Sequence, residues 1–179
     1  MEGLETDRLV LREWRDDDAD FVLDMYGRIE VQRYLGRVPR IMEDRGEALA
    51  AIARWRGFES AVHAVRAIEV RDTGRLAGTV LLKGIPVSGP NEPLADSGDT
   101  EIGWHLHPES WGNGYATEAA TTVLAAGFAA GLTRVVAVTN PANTASQAVC
   151  ARIGMRHLGR TEAYYNASCE LFEATLSSG

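Results

Sequence analysis

Trp111-Gly112-Asn113-Gly114-Tyr115-Ala116-Thr117 stands between a strand-like run, Thr100 to Leu106, and the most regular helical segment of the chain. Gly112 and Gly114 carry no side chain, so the backbone there can curl and approach a ligand closely. Ala116 is nearly as small. The first amides of the helix that follows have no partner within the helix, and they point at whatever sits in the turn. The helix dipole adds roughly half a positive charge at that end. The stretch therefore reads as a phosphate-binding turn, and an acidic chain can hold a polyanion there because the attraction is local.

Three phosphate sites share this plan. A Walker loop requires Gly-Lys-Ser or Gly-Lys-Thr after its spacer, and no lysine occurs in the turn. A dinucleotide fold fits better, since Gly112-x-Gly114 follows a strand. Thr117, however, takes the place of its third glycine, and the next strand ends in Val138-Thr139-Asn140 instead of a ribose-binding acid. The third is the pyrophosphate turn of an acyl-CoA enzyme.

Outward from the turn, the hydrophobic period changes segment by segment. Tyr115 to Ala130 keeps Ala116, Ala119, Ala120, Val123, Leu124, Gly127 and Phe128 on one face, and Gly131 ends the helix. Arg134 to Thr139 is a β-branched strand, apolar enough to be covered on both faces. Asn143 is placed to cap a short helix through Ile153, with Gly154 as its C-terminal cap. Met155 to Thr161 and Ser168 to Glu173 read as the last strands. Upstream, Arg8 to Glu13 alternates as a first strand. Asp16, Asp17 and Asp18 then bring negative charge to the start of a helix carrying Phe21, Val22, Met25, Tyr26 and Ile29. A second helix runs from about Met42 to Trp55. Ala64 to Arg71 and Leu76 to Lys83 form a hairpin about Asp72-Thr73-Gly74. Three prolines and two glycines make residues 85–98 a long surface loop. With no repeat or linker, residues 1–179 are expected to form one α+β domain.

The composition, 45% hydrophobic and 24% charged, is that of a globular protein. No run reaches the roughly 18 apolar residues that a membrane span requires, so no membrane partner is expected. Met1 to Arg8 is acidic and polar, unlike a secretory signal. Cys150 and Cys169 have no metal-ligand spacing and read as reduced thiols, consistent with the cytoplasm. A net charge of -7 argues against nucleic-acid binding and suits a cationic amine substrate.

Trp111-x-x-Gly114-x-Ala116 resembles the Arg/Gln-x-x-Gly-x-Gly/Ala signature of the GNAT N-acetyltransferase superfamily, with Trp111 where Arg or Gln is usual. The longer string EIGWHLHPESWGNGYATEA looks like its ribosomal-protein-alanine N-acetyltransferase-like (RimJ/RimL-type) branch, where an aromatic is usual there. Asn140 to Met155 is similar to that branch's Asn-x-x-Ser…Gly-Phe motif, and Glu5 to Arg12 to its first strand. The resemblance covers almost the whole chain in the correct order. It implies the GNAT fold: a mostly antiparallel mixed sheet of six to seven strands, about four helices, and splayed central strands forming the acyl-CoA cleft. It also implies acetyl-CoA as cosubstrate and no metal. Trp111, Gly112, Asn113, Gly114, Tyr115, Ala116 and Thr117 would hold the pyrophosphate. Pantetheine would lie along Gly103, Trp104, His105 and Leu106, where Gly103 could permit a bulge. Asn143 and Ser146 would contact CoA.

Acetyl transfer from a thioester to an amine needs a neutral amine, a stabilised oxyanion and a leaving thiolate. Deprotonating a lysine-type amine at pH 7 costs about 4.6 kcal/mol. Many GNAT enzymes place a tyrosine acid four residues after the position of Ser146; here that residue is Cys150, which leaves Ser146 as the candidate acid. Glu101 is the candidate base, a carboxylate several relatives share, against the plainer reading of an exposed strand acid. Glu118 suits helix stabilisation. His105 and His107 share a strand face but lack a third metal ligand, and His105 could relay a proton through water. Tyr164 and Tyr165 could touch substrate or simply pack.

The expected function is acetyl-CoA-dependent transfer to a primary amine, on a protein N-terminus or a small molecule, by direct attack in a ternary complex. A CoA-binding sensor or interaction module without catalysis is the competing class, kept open by Cys150. The acceptor and the oligomeric state, a homodimer included, have no readable code in the sequence.

Overall fold

Strands with one or two apolar faces need cover, and helices supply it on both sides of one sheet. The computed structural model describes residues 3–176; the ends of the expected domain, residues 1–2 and 177–179, lie outside it. The strands are Leu4–Glu5 (β1), Leu9–Glu13 (β2), Ala64–Val70 (β3), Leu76–Pro86 (β4), Asp96–Leu106 (β5), Arg134–Thr139 (β6), Arg156–Thr161 (β7) and Cys169–Thr175 (β8). The helices are Ala19–Tyr26 (α1), Ile29–Gln32 (α2), Arg45–Arg56 (α3), Tyr115–Ala129 (α4) and Thr144–Arg152 (α5). The sheet order is β1-β2-β3-β4-β5-β6-β8-β7, antiparallel throughout except for the parallel neighbours β5 and β6.

This is the expected α+β GNAT arrangement, with eight strands and five helices among the described residues. The additions are short elements without a readable period. β1 has two residues, and the first helical stripe breaks at Gly27, so that Ile29 opens α2 and is 57% exposed. On one face, Ala119, Ala120, Val123 and Leu124 of α4 pack on Leu9, Leu11, Val80 and Val135. On the other, Trp14, Val22, Met25 and Ile52 cover Val65 and Ala67. Each such large side chain contributes about 1.5–3 kcal/mol by burial. β6 is covered on both sides: Val135 and Ala137 face the α4 layer, and Val136 packs with Ile85 and Tyr164.

Two local expectations are corrected. The loop read over 85–98 shrinks to 87–95, because β4 runs to Pro86, which pairs with Asp96 of β5. This end of the hairpin is polar and held by backbone and hydroxyl bonds, with Val87 N donating to Ala95 O at 2.9 Å and Ser97 Oγ to Ile85 O at 2.5 Å. Nor does a bulge occur at Gly103, which pairs with Leu81 without a shift; the irregularity falls between Gly84 and Pro86.

Candidate active site

The sheet splits at its centre. Among the described residues, β5 and β6 pair only at Glu101 and Val136. Beyond that point Ile102 to Leu106 remain paired with β4, while β6 stays with β8 along its whole length. One edge of β5 is thereby left without a neighbouring strand. The gap is a cleft of about 300 Å³ lined by Glu101 to His105, Ala137 to Asn140, Asn143, Ser146, Lys83 and Tyr165, with Tyr34, Ala167, Ser168 and Cys169 at its sides. Thr139 Oγ1 is buried there with no partner among the described residues, a polar atom that a bound ligand could satisfy.

The glycine turn follows at the C-terminal end of β5. Gly112 and Gly114 have φ of 76° and 80°, which only glycine adopts without strain. Gly114 is the N-cap of α4, and no side chain caps it, so the first amides of the helix have no side-chain cap. Trp111 Nε1 donates to the Leu106 carbonyl at 2.9 Å, tying the turn to the strand end; this is what the aromatic residue does where Arg or Gln is usual. Asn113 Nδ2 donates to the Trp111 carbonyl at 3.1 Å. Arg8 braces the turn from β2's side: Nη1 donates to Asn113 O at 3.0 Å, Nε to Glu118 Oε2 at 2.7 Å, and the guanidinium lies 5.1 Å from the Tyr115 ring. Burial alone would raise the Glu118 pKa, but hydrogen bonds from Thr6 and Arg8 hold it below the usual carboxylate range. Glu118 thus ties α4 to Thr6 and Arg8, a link between distant segments and not only the helix stabilisation expected of it.

On the far wall, Asn143 caps α5 by accepting from Ser146 N at 3.1 Å, and both line the cleft. Cys150 is fully buried in the core beneath, and burial pushes its thiol up to about 12. It cannot serve as a proton donor to the cleft.

At the vertex, Glu101 is 7% exposed, not the surface acid of the plainer reading. Lys83 Nζ lies 2.5 Å from its carboxylate, the Tyr165 hydroxyl donates to the same group, and Lys83 Nζ donates to Tyr165 Oη at 2.8 Å. Burial, then the Glu101 charge, pushes the Tyr165 pKa upward, keeping the phenol protonated.

Residues 8–156 match the Acetyltransferase (GNAT) domain family. The chain belongs to the GNAT acetyltransferase family. It is 34% identical over 163 residues to the uncharacterized N-acetyltransferase YoaA of Bacillus subtilis (strain 168), covering 90% of this chain and 86% of YoaA. With the uncharacterized N-acetyltransferase p20 of Bacillus licheniformis it shares 29% over 180 residues, 99% of this chain and 96% of p20. Its fold superposes with a TM-score of 0.77 on RimL, the ribosomal L7/L12 α-N-protein acetyltransferase solved with coenzyme A, at 17% identity and coverage of 99% and 100%. The activity is that of an acetyltransferase.

Within this GNAT domain the expected site residues fall into two groups. Glu101, Trp104, His105, Asn143 and Ser146 meet in the cleft. Leu106 and Trp111 to Thr117 lie outside its lining; Leu106 and Tyr115 also pack against the core, and Ala116 is buried. The two histidines are each engaged separately. His105 Nδ1 is 2.8 Å from Tyr26 Oη, itself 3.2 Å from Thr79 Oγ1. His107 Nε2 is 3.2 Å from Asp24 Oδ2. Burial, and then the charge of Lys83, lowers the His105 pKa from 6.5 to about 4, so its imidazole is neutral near pH 7. Among the described residues no group of three His, Cys, Asp or Glu could hold a metal, and no helix is long and apolar enough to cross a membrane. Sequence reasoning missed Lys83, Arg8 and Thr139. Arg8 was legible only as a strand residue, and the other two carry no motif.

Proposed function

We propose that the chain transfers an acetyl group from acetyl-CoA to a primary amine, on a protein N-terminus or a small molecule, by direct attack within a ternary complex in the cytoplasm. The observation that carries this reading is the split between β5 and β6, whose unpaired strand edge leads directly to the uncapped glycine turn. An extended pantetheine arm suits an open strand edge as an added strand does, and a pyrophosphate suits the turn. Two proteins of the same fold support the donor: RimL was solved with coenzyme A, and the Microcin C7 self-immunity acetyltransferase MccE with acetyl-CoA and AMP, the latter at a TM-score of 0.74 and 16% identity.

Acetyl-CoA supplies a thioester whose carbonyl carbon is the electrophile. In this reading Trp111 to Thr117 orient the pyrophosphate, and Trp104, His105, Leu106 and Asn143 line the arm. Glu101 takes the proton that the attacking amine gives up. Ser146, on the opposite wall, gives a hydrogen bond to the departing sulfur, a part that the buried Cys150 cannot take. The inactive alternative has no observation of its own behind it.

The test is calorimetric titration with acetyl-CoA, followed by thiol release in the presence of amines, peptide N-termini and aminoglycosides. Absence of acetyl-CoA binding ends the proposal. Mass spectrometry of acetylated products in a cell extract identifies the acceptor.

A further inference from the structure

Lys83 is the only lysine of the sequence; every other one of its 18 Lys and Arg residues is arginine. An arginine would pair with a carboxylate at least as well, through its planar fork. What lysine has and arginine lacks is a nitrogen that readily gives up its proton and then acts as a nucleophile. That nitrogen stands in the acyl-transfer cleft. Lys83 and Glu101 are direct cross-strand partners, and Glu101 is the residue at which β5 and β6 part, so the amine sits at the vertex. Nζ lies 2.5 Å from Glu101 and 2.8 Å from Tyr165 Oη, on a side chain 19% exposed. The Phe58 and Tyr165 rings are 5.9 and 5.4 Å away. A carboxylate, a phenol and two ring faces are the surroundings a primary ammonium prefers.

We propose that Lys83 is an internal acceptor: the chain acetylates its own Lys83 Nζ from acetyl-CoA. The proposal rests on the donor reading above. The Lys83 ammonium passes one proton to the Glu101 carboxylate, and the resulting amine attacks the thioester carbonyl. The N–C bond forms and the C–S bond breaks, and the electron pair leaves on sulfur. The second nitrogen proton is lost as the amide forms, and the thiolate is protonated in turn. The products are Nζ-acetyl-Lys83 and CoA, one per chain. The modification erases the positive charge beside Glu101 and leaves the vertex to an external ammonium.

The full-length protein is incubated with acetyl-CoA and no added amine, and followed by intact mass and peptide mapping; calorimetry on the same preparation measures binding. The expected result is a gain of one acetyl group on the Lys83 peptide, none on that peptide in Lys83→Arg, and a rate about tenfold or more lower in Glu101→Gln. Acetyl-CoA binding with Lys83 unmodified overturns the proposal and leaves the donor reading standing. So does modification as fast in the urea-unfolded chain as in the folded one, a comparison that needs no variant to fold. Absence of acetyl-CoA binding overturns both.

Discussion

Arg8 and Glu118 form a charged clasp, Nε to Oε2 at 2.7 Å, that fastens the start of β2 to the first turn of α4. Because Arg8 also donates to Asn113 O, the clasp holds the glycine turn in shape. Arg8→Ala is expected to cost about 1 kcal/mol or less, because the Arg8 side chain is half exposed and solvent screens the pair, and to raise the KM for acetyl-CoA. Urea unfolding and initial rates check the two effects. The Glu118 pKa is depressed in the fold, so its stabilisation is present above the ordinary value of 4.5 and fades as pH falls through the folded value. Glu118→Gln should flatten that part of the acid-unfolding curve.

Gly114→Ala separates strain from space. Its added Cβ would lie 3.5 Å from Arg8 Nη2, an ordinary contact, but the residue must keep φ near 80°. A left-handed alanine costs about 1–2 kcal/mol. The expected outcome is a modest loss of stability with a raised KM for acetyl-CoA and a smaller change in kcat, read from steady-state kinetics.

Asn143 and Ser146 should divide stability from turnover. Asn143→Ala removes the α5 cap at a cost of about 1 kcal/mol. Ser146 offers its backbone amide to that cap, and Ser146→Ala keeps the amide. We expect Ser146→Ala to unfold like the parent while kcat falls about tenfold or more.

His105 is predicted to titrate near 4 by NMR, well below its ordinary 6.5. A depressed histidine pKa means that the unfolded chain takes up the proton first. Its neutral form therefore stabilises the fold fully above pH 6.5, and that stabilisation is lost as pH falls from 6.5 towards 4. Since the Lys83 charge contributes to the depression, Lys83→Met should move the midpoint upward; a midpoint unmoved by the substitution contradicts this assignment.

Much of this was legible from sequence where local chemistry repeats. Asn143 at a helix start, Gly154 at its end and the small-residue face of α4 are local signals, and each appears where its residue type requires. Asp96 to Asp99 was not legible as strand, because a polar ladder outside the core carries no alternating apolar signal. The meeting of Lys83 and Tyr165 on Glu101 was hidden for another reason. Lys83 faces Glu101 through register across a hairpin, and Tyr165 arrives from the segment before β8 with φ of 59°. Contacts made by topology leave no spacing to read.

The split sheet also has a mechanical side. At its closed end Arg134 of β6 binds Asp99 of β5 and Glu173 of β8, Arg156 of β7 joins Glu173 at 2.8 Å, and the Tyr164 hydroxyl donates to Asp99 at 2.7 Å. Where the backbone ladder between β5 and β6 is reduced to one pairing, this charged cluster does the work of a clamp, fastening β5, β6, β7 and β8 to one another by side chains alone.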